Sequence, residues 1–366
     1  MLMKAAVCYE FKKPLVVEEI EIDPPKKGEV RVRVSATAIC HSDIHAISGD
    51  MGAFGWQPPL VPGHESAGRV ETVGEDVTSV KPGDAVVVSL LASCGRCFQC
   101  VSGRPYMCQA KWPLNTESRL RNKQGKALTH MARVAGFAEY VVVHESQVVP
   151  IPGDMPMDRA SLLSCGVITG IGAVVNRAQV RPLSSVVVIG TGGVGLSAVQ
   201  GAAMISAYPI IAVDISDSKL AAARAFGATH TVRADDKGAV DAVKQLTGGF
   251  GAEYVFVTVG SAAAVQQGYL MSGPHSMTVV VGIPPTGATV TLPAGFPGER
   301  LVTNSIMGST RLHTEVPKLV ALYKDKRLKL DELITGRYTL ADINRAIDLV
   351  VKGEALRNVI VFDAVP

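Results

Sequence analysis

The sequence predicts an α/β fold in which a doubly wound parallel sheet is joined to a β-barrel-like domain. Three observations carry this. Between residues 186 and 281, fully apolar strand-like runs alternate with helical stretches, the pattern of a parallel sheet covered on both faces. From the N-terminus to Val149, short β-branched runs are divided by Gly and Pro, the pattern of a compact barrel. The length of 366 residues exceeds what one core usually holds, so two domains are expected.

In order, Val16–Ile20 and Val30–Val34 read as strands, separated by a turn at Pro24-Pro25 and Lys26-Lys27-Gly28. Ser66–Val73 is a further strand. Val77–Val88 is read as β interrupted by a turn at Lys81-Pro82-Gly83-Asp84, and Phe137–Val149 as a return to β. Residues 109–135 are polar and irregular and read as a long loop or lobe. Asp158–Val175 has helical spacing. The strands Val186–Ile189, Ile210–Val213, Tyr254–Val259 and Met277–Val281 alternate with helices Gly193–Ala207, Asp217–Phe226, Ala239–Leu246 and Ala262–Met271. Gly227 supplies a C-terminal stop for the second of these helices. Helices Val316–Tyr323 and Leu340–Val351 and a strand Asn358–Phe362 close the chain.

Composition narrows the function. With 47% hydrophobic and 19% charged residues the chain is globular rather than disordered. A net charge of +3 without a long basic run argues against nucleic acid or an anionic membrane as partner. Met1–Phe11 has no cationic start followed by a long apolar run, so no secretory signal is expected. No apolar run reaches the roughly 18 residues of a spanning helix. Of seven cysteines, four fall within Cys94–Cys108. That clustering reads as metal binding in a reducing compartment, hence a cytoplasmic protein.

Gly190-Thr191-Gly192-Gly193-Val194-Gly195 fits the G-x-G-x-x-G pattern. It leaves a strand and opens a helix, and Asp214 ends the next strand. This is the context of dinucleotide binding, with the pyrophosphate at the helix N-terminus. Asp214 can accept hydrogen bonds from both adenosine ribose hydroxyls and would repel a 2′-phosphate, which favours NAD over NADP. The competing reading is a glycine-rich turn without a ligand. Cys94, Cys97, Cys100 and Cys108 form a closed thiolate set suited to structural zinc. The competing readings are unliganded surface cysteines and a zinc ribbon for nucleic acid. The low net charge counts against the ribbon. Cys40, His64 and Cys165 fit a three-ligand open zinc, but on spacing alone core cysteines and a satisfied buried histidine are the commoner case. Asp43 reads as a support for the second nitrogen of His64 or as a turn cap, and Glu65 as a group behind the metal or a surface carboxylate.

Taken together, Cys40-His41-Ser42-Asp43, Gly63-His64-Glu65, the Cys94–Cys108 cluster, Ser164–Gly170, Gly190–Gly195 with Asp214, and Leu356–Phe362 resemble the zinc-dependent medium-chain alcohol dehydrogenases nearly end to end. The resemblance implies a GroES-like catalytic domain from 1–166 and 307–366, and a Rossmann NAD-binding domain from 167–306. It implies two Zn²⁺ per chain: a catalytic ion on Cys40, His64 and Cys165, and a structural ion on the four-cysteine set. It implies a proton path through Ser42 and His45. His41, Thr169, Lys219 and Arg357 would hold NAD, with the nicotinamide near Val259 and Gly282-Ile283-Pro284. The expected partner is a small alcohol or aldehyde. The 109–135 lobe resembles that of dimeric members, so a homodimer is expected, a tetramer being the alternative.

The chain departs from the glutathione-linked formaldehyde branch at Trp112, where that branch has arginine, and at Met51, where it has an acidic residue. The loop Gly49–Pro62 is longer than in liver-type enzymes. Its Phe54 and Trp56, with Met51, Leu90, Met131, Ile283 and Ile306, suggest a largely apolar pocket, although each also fits a core position. Arg133 reads as a solvated surface residue, the alternative being contact with a polar substrate end. The leading expectation is an NAD-dependent alcohol dehydrogenase for medium-sized apolar or aromatic substrates. A nicotinoprotein that retains NAD, and a non-catalytic zinc and nucleotide-binding protein, are the alternatives.

Overall fold

The computed structural model describes residues 1–293 and 298–362, the side chain of Ala53 apart. Residues 363–366 of the expected catalytic domain lie outside the described residues. The chain divides into two compact units, Met1–Cys165 with Arg311–Pro366, and Gly166–Thr310. Gly166 and residues 307–310 therefore go with the second unit.

In the second unit, the described residues form six parallel strands. Their spatial order is His230–Arg233, Ile210–Asp214, Val186–Ile189, Ala252–Val257, Ser272–Val280 and Leu301–Asn304. Numbered along the chain, this is 3-2-1-4-5-6, the doubly wound Rossmann order. Val186, Val187 and Val188 are fully buried, as expected of a strand covered on both faces. Burial of each such side chain stabilises the fold by roughly 1.5–3 kcal/mol. The two edge strands, His230–Arg233 and Leu301–Asn304, were not expected. Each is short and carries polar residues, so neither shows a continuous apolar run.

The first unit is β-rich. Its larger sheet, among the described residues, runs in the order Val148–Pro150, Ala85–Val88, Glu65–Val73, Glu29–Ala38, Arg357–Val361 and Ile334–Tyr338, with Tyr140–His144 also paired to Glu29–Ala38. Along Glu29–Ala38 the alternation is strict where it matters: Val30, Val32 and Val34 are fully buried, whereas Arg31 and Arg33 are not. The last strand lies antiparallel to this one, with Val359 opposite Ala38. The end of the chain thus braces the strand that delivers Cys40. A second, three-stranded sheet joins Leu2–Val7, Val16–Ile22 and Leu120–Arg121.

Several expected elements are shorter or divided. Only Ala85–Val88 of the 77–88 segment is strand. The preceding turn is closed by the Lys81 amide donating to Asp84 Oδ2 at 2.9 Å. The 137–149 segment becomes Tyr140–His144 and Val148–Pro150, divided by a helical turn at Glu145–Gln147. The single helix expected over 158–175 is two, Met157–Leu162 and Gly166–Gly172, followed by a π-helical turn at Ala173–Arg177. At the break, Ser89 Oγ donates to the Ser164 carbonyl at 2.6 Å, a partner outside the helical ladder. Cys165 sits at that break. Among the described residues no helix is long and apolar enough to cross a membrane.

Candidate metal centre and nucleotide-binding loop

Cys40 caps a short helix, His41–Ser48, that ends at Gly49 in the left-handed conformation (φ 82°). Asp43 lies on the helix's inner face and is fully buried. It accepts from three groups: the Cys40 amide (2.8 Å), the Gly63 amide (3.2 Å) and His64 Nδ1 (2.7 Å). One carboxylate therefore fixes the backbone of Cys40, the turn before His64 and the ring of His64. With Nδ1 engaged, His64 turns Nε2 inward, where it is buried without a hydrogen-bond partner. Asp43 thus supports His64 in the geometry, as one of its two sequence readings has it.

The donor atoms of Cys40, His64, Glu65 and Cys165 all lie within 4.8 Å of one another, and all four residues are buried. Their electrostatics are those of a site wanting a cation. The Cys40 thiol is held well below the usual range by its hydrogen bond with Cys165 and by His64, against the effect of burial. Cys165 is pushed well above it by the hydrogen bond to Cys40 and by burial. Burial alone would lower His64, but Asp43 and Cys40 outweigh it and hold the imidazole well above the usual histidine range. Burial pushes Glu65 up to about 8 despite Arg357. Two thiols, an orphaned imidazole nitrogen and a carboxylate within this radius match a zinc donor set.

Arg357 is 4% exposed; its Nη1 donates to Glu65 Oε1 (3.1 Å) and the Ile39 carbonyl (3.5 Å), while Nε and Nη2 lack partners. The resemblance assigns Arg357 to the cofactor. Here it is the counter-charge of Glu65. Ser42 and His45 share one helix face at i and i+3. His45 Nδ1 lies 3.4 Å from Asp50 Oδ2.

The four-cysteine set also converges, again with its donors within 4.8 Å of one another. Cys97 Sγ and Cys108 Sγ are 3.9 Å apart, close to the edge of about 3.8 Å that a tetrahedron of 2.3 Å Zn–S bonds requires. Backbone amides already point at sulfur: that of Cys94 at Cys108 Sγ and that of Cys97 at Cys94 Sγ, both at 3.3 Å. Hydrogen bonds from the Gln109 and Cys100 backbone lower the Cys97 thiol to about 6, whereas burial raises Cys100 to about 12. Both cysteine groups are compatible with zinc.

In the second unit, the glycine-rich turn leaves strand Val186–Ile189 at the point where the strand order reverses, the place where doubly wound sheets bind ligands. Gly190 has φ 87°, which a side chain rarely adopts, and a Cβ there would meet Val259. A Cβ on Gly195 would overlap the Gly190 carbonyl oxygen. A Cβ on Gly192 would meet nothing within 4 Å. The outer glycines are thus required by packing, and the middle one leaves an open backbone cradle ahead of helix Gly193–Met204, suited to a phosphate. The turn is strapped to both neighbouring strands. Thr258 Oγ1 donates to the Gly190 carbonyl at 2.6 Å. The Thr191 amide and hydroxyl donate to Asp214 Oδ2 at 2.7 and 3.0 Å. Gly282 packs its backbone against that of Val259. Lys219 is half-buried on helix Asp217–Ala225, and the Thr169 hydroxyl points at Met307 Sδ at 3.7 Å.

Of the expected pocket residues, Met131, Leu90 and Trp56 pack into one cluster with Ile39 and Phe137. Phe54 is exposed and stacks on Trp56, ring centres 5.0 Å apart. Met51 is buried; Ile283 and Ile306, in the other unit, are partly exposed. Arg133 is not a solvated surface residue: its guanidinium donates to the Leu90 carbonyl (2.9 Å) and Asn115 (3.2 Å), and its Nε is buried. Trp112 packs edge-on against His144. Thr191, Thr258 and Ser89 were missed by sequence reasoning. A lone hydroxyl residue carries no pattern until its partner is known.

Comparison with known proteins gives a consistent picture. The family description "Alcohol dehydrogenase GroES-like domain" matches residues 26–153, and "Zinc-binding dehydrogenase" matches residues 193–325. Similar solved structures include an alcohol dehydrogenase zinc-binding domain protein from Burkholderia ambifaria, at 32% identity and TM-score 0.93, covering 99% of each chain. A benzyl alcohol dehydrogenase from Acinetobacter calcoaceticus is 31% identical with TM-score 0.91, covering 99% of this chain and 100% of that one. Zinc dependent alcohol dehydrogenase 2 from Streptococcus pneumonia, in its apo form, is 27% identical with TM-score 0.84, covering 100% of this chain and 99% of that one.

Proposed function

The chain belongs to the zinc-dependent alcohol dehydrogenase family of the medium-chain dehydrogenase/reductase superfamily, and from that premise we propose that it interconverts a medium-sized apolar or aromatic alcohol and its aldehyde with NAD. The observation that carries the reading is the convergence of Cys40, His64 and Cys165 with His64 Nε2 turned inward and unpartnered. These three residues would hold a catalytic zinc, and Cys94, Cys97, Cys100 and Cys108 a second, structural one. Bound zinc supplies a Lewis acid that acidifies an alcohol hydroxyl or polarises a carbonyl, and bound NAD supplies the hydride acceptor.

The chain's own residues do the rest. Asp43 holds His64 Nδ1 and so presents Nε2 as the ligand atom. Glu65, backed by Arg357, places a carboxylate beside the donor set. Ser42 takes up the hydroxyl proton, and His45 hands it outward. The open backbone at Gly192 cradles the pyrophosphate, and His41, Thr169 and Lys219 contribute further cofactor contacts. Asp214 accepts from the adenosine ribose and disfavours a 2′-phosphate. Val259, Gly282 and Ile283 would line the place of the nicotinamide.

The benzyl alcohol dehydrogenase likeness supports an apolar or aromatic substrate end, whereas Met131 is fully buried in the core cluster against which Trp56 and Leu90 pack. The strand Leu301–Asn304, an edge of its sheet among the described residues and with Leu301 and Val302 exposed, supports a homodimer. The test is a panel of aromatic and aliphatic alcohols and aldehydes followed by NADH absorbance. Turnover of benzyl-type alcohols with added NAD is expected. Turnover only of short polar alcohols would overturn the substrate class.

A further inference from the structure

The straps on the glycine-rich turn are unequal, and one of them limits what Asp214 can do. An ionised carboxylate offers about four acceptor positions, two on each oxygen. Both positions on Asp214 Oδ2 are filled from the turn, by the Thr191 amide at 2.7 Å and the Thr191 hydroxyl at 3.0 Å. Oδ1 already accepts from the Ser216 amide at 3.0 Å. One position remains, on Oδ1. The earlier expectation that Asp214 serves both ribose hydroxyls therefore exceeds its free capacity in this geometry. Thr191 is 0% exposed and Asp214 8% exposed, so the hydroxyl is a solvent-shielded donor to the carboxylate.

We propose that the Thr191 hydroxyl is a positioning group that pins the Asp214 carboxylate, and that this pin sets the chain's discrimination between a plain ribose and a 2′-phosphorylated ribose. This rests on the reading of Asp214 as the ribose-facing residue. A carboxylate free to rotate can swing its charge away from a 2′-phosphate and lessen the repulsion. One held on Oδ2 by two donors and on Oδ1 by a third cannot. The pin leaves a single aimed acceptor for a hydroxyl and a fixed negative charge against a phosphate. The turn does not depend on the Thr191 side chain for its own shape. The Thr258 hydroxyl holds the Gly190 and Ile189 carbonyls at 2.6 and 3.2 Å, and the Gly190 amide donates to the Val213 carbonyl at 2.8 Å. Thr191→Val keeps the shape and removes only the hydroxyl; Thr191→Ser keeps the hydroxyl.

The experiment measures Kd for NADH and NADPH on the full chain by nucleotide fluorescence, for the parent, Thr191→Val, Thr191→Ser and Asp214→Ala. The expected result is a parent preference for NADH of at least tenfold, a ratio at least threefold smaller in Thr191→Val, and a ratio kept in Thr191→Ser. Asp214→Ala sets the floor. If the parent prefers NADH and Asp214→Ala abolishes the preference, but Thr191→Val matches the parent, the pin is overturned and the ribose reading stands. The pin is also overturned if Thr191→Ser loses as much as Thr191→Val. If the parent shows no preference for NADH, the ribose reading falls and the pin with it. Nucleotide-free melting temperatures of the two Thr191 variants within a few degrees of the parent's tie the change to binding. A collapse of Thr191→Val alone assigns the hydroxyl to folding and overturns the proposal.

Discussion

At the scale of single residues, Asp43 ties together the backbone and side chain of the candidate metal site. It is fully buried and joins Cys40, Gly63 and His64. Loss of a group that orients a metal-ligating histidine typically costs about 10–100-fold in metal affinity. Asp43→Asn is expected to weaken zinc binding at one of the two cysteine-containing sites by that factor, read by chelator competition, and to leave the four-cysteine site intact. His130 makes a different prediction. It is buried, its Nε2 accepts from the Arg119 amide at 3.0 Å, and burial together with Arg119 lowers its pKa from 6.5 to about 3. Between these values the unfolded chain binds the proton and the folded chain does not. Stability therefore rises with pH through this window and falls as pH drops below about 6.5. At about pH 5 the deficit is on the order of 2 kcal/mol, one pKa unit being worth about 1.4 kcal/mol. Urea unfolding of His130→Asn is expected to show a shallower loss between pH 7 and pH 5 than the parent. Parallel curves would contradict the assignment. For Asp43 the sequence left two readings open, a support for His64 and a turn cap, because its partners Gly63 and His64 lie 20 and 21 residues away. The protonation of His130 was not legible, because it depends on burial and on Arg119, both set by tertiary packing.

At the scale of elements, the glycine-rich turn separates packing from binding. Gly192→Ala adds a Cβ where nothing lies within 4 Å. The variant is expected to fold with a melting temperature close to the parent's and to lose NADH affinity by about tenfold or more, near 1.4 kcal/mol. Gly195→Ala drives a Cβ into the Gly190 carbonyl and is expected to lose stability first. Equal stability of the two variants would contradict the reading. This turn and the four-cysteine set were legible because their chemistry is local: the spacing itself carries the geometry. The helix break at Cys165 was not. Asp158–Val175 has helical spacing throughout, and the carbonyl at the break is bound by Ser89, 75 residues away in sequence. Edge strands escaped for a related reason, since a strand exposed along one side has no need of a continuous apolar run.

At the scale of the whole molecule, Cys40, His64 and Cys165 are brought together by long-range pairing. Strand Glu29–Ala38 delivers Cys40, strand Glu65–Val73 begins just after His64, and Val359 from the end of the chain pairs with Ala38. No local pattern announces such a trio, so spacing left it open and the family resemblance had to supply it. The alternation of apolar strands and helices did reveal the parallel sheet, because burial on both faces writes itself into the sequence. The proposed zinc-dependent, NAD-linked alcohol dehydrogenase activity rests on this buried trio. The most direct measurement pairs metal content with NADH formation from benzyl alcohol, on the parent and Cys40→Ser at equal folded concentration. The expected result is two zinc ions per parent chain, one per Cys40→Ser chain, and a rate at least a thousandfold lower in the variant, about 4 kcal/mol of transition-state stabilisation. A Cys40→Ser chain that retains one zinc fewer and still forms NADH at the parent rate would contradict it.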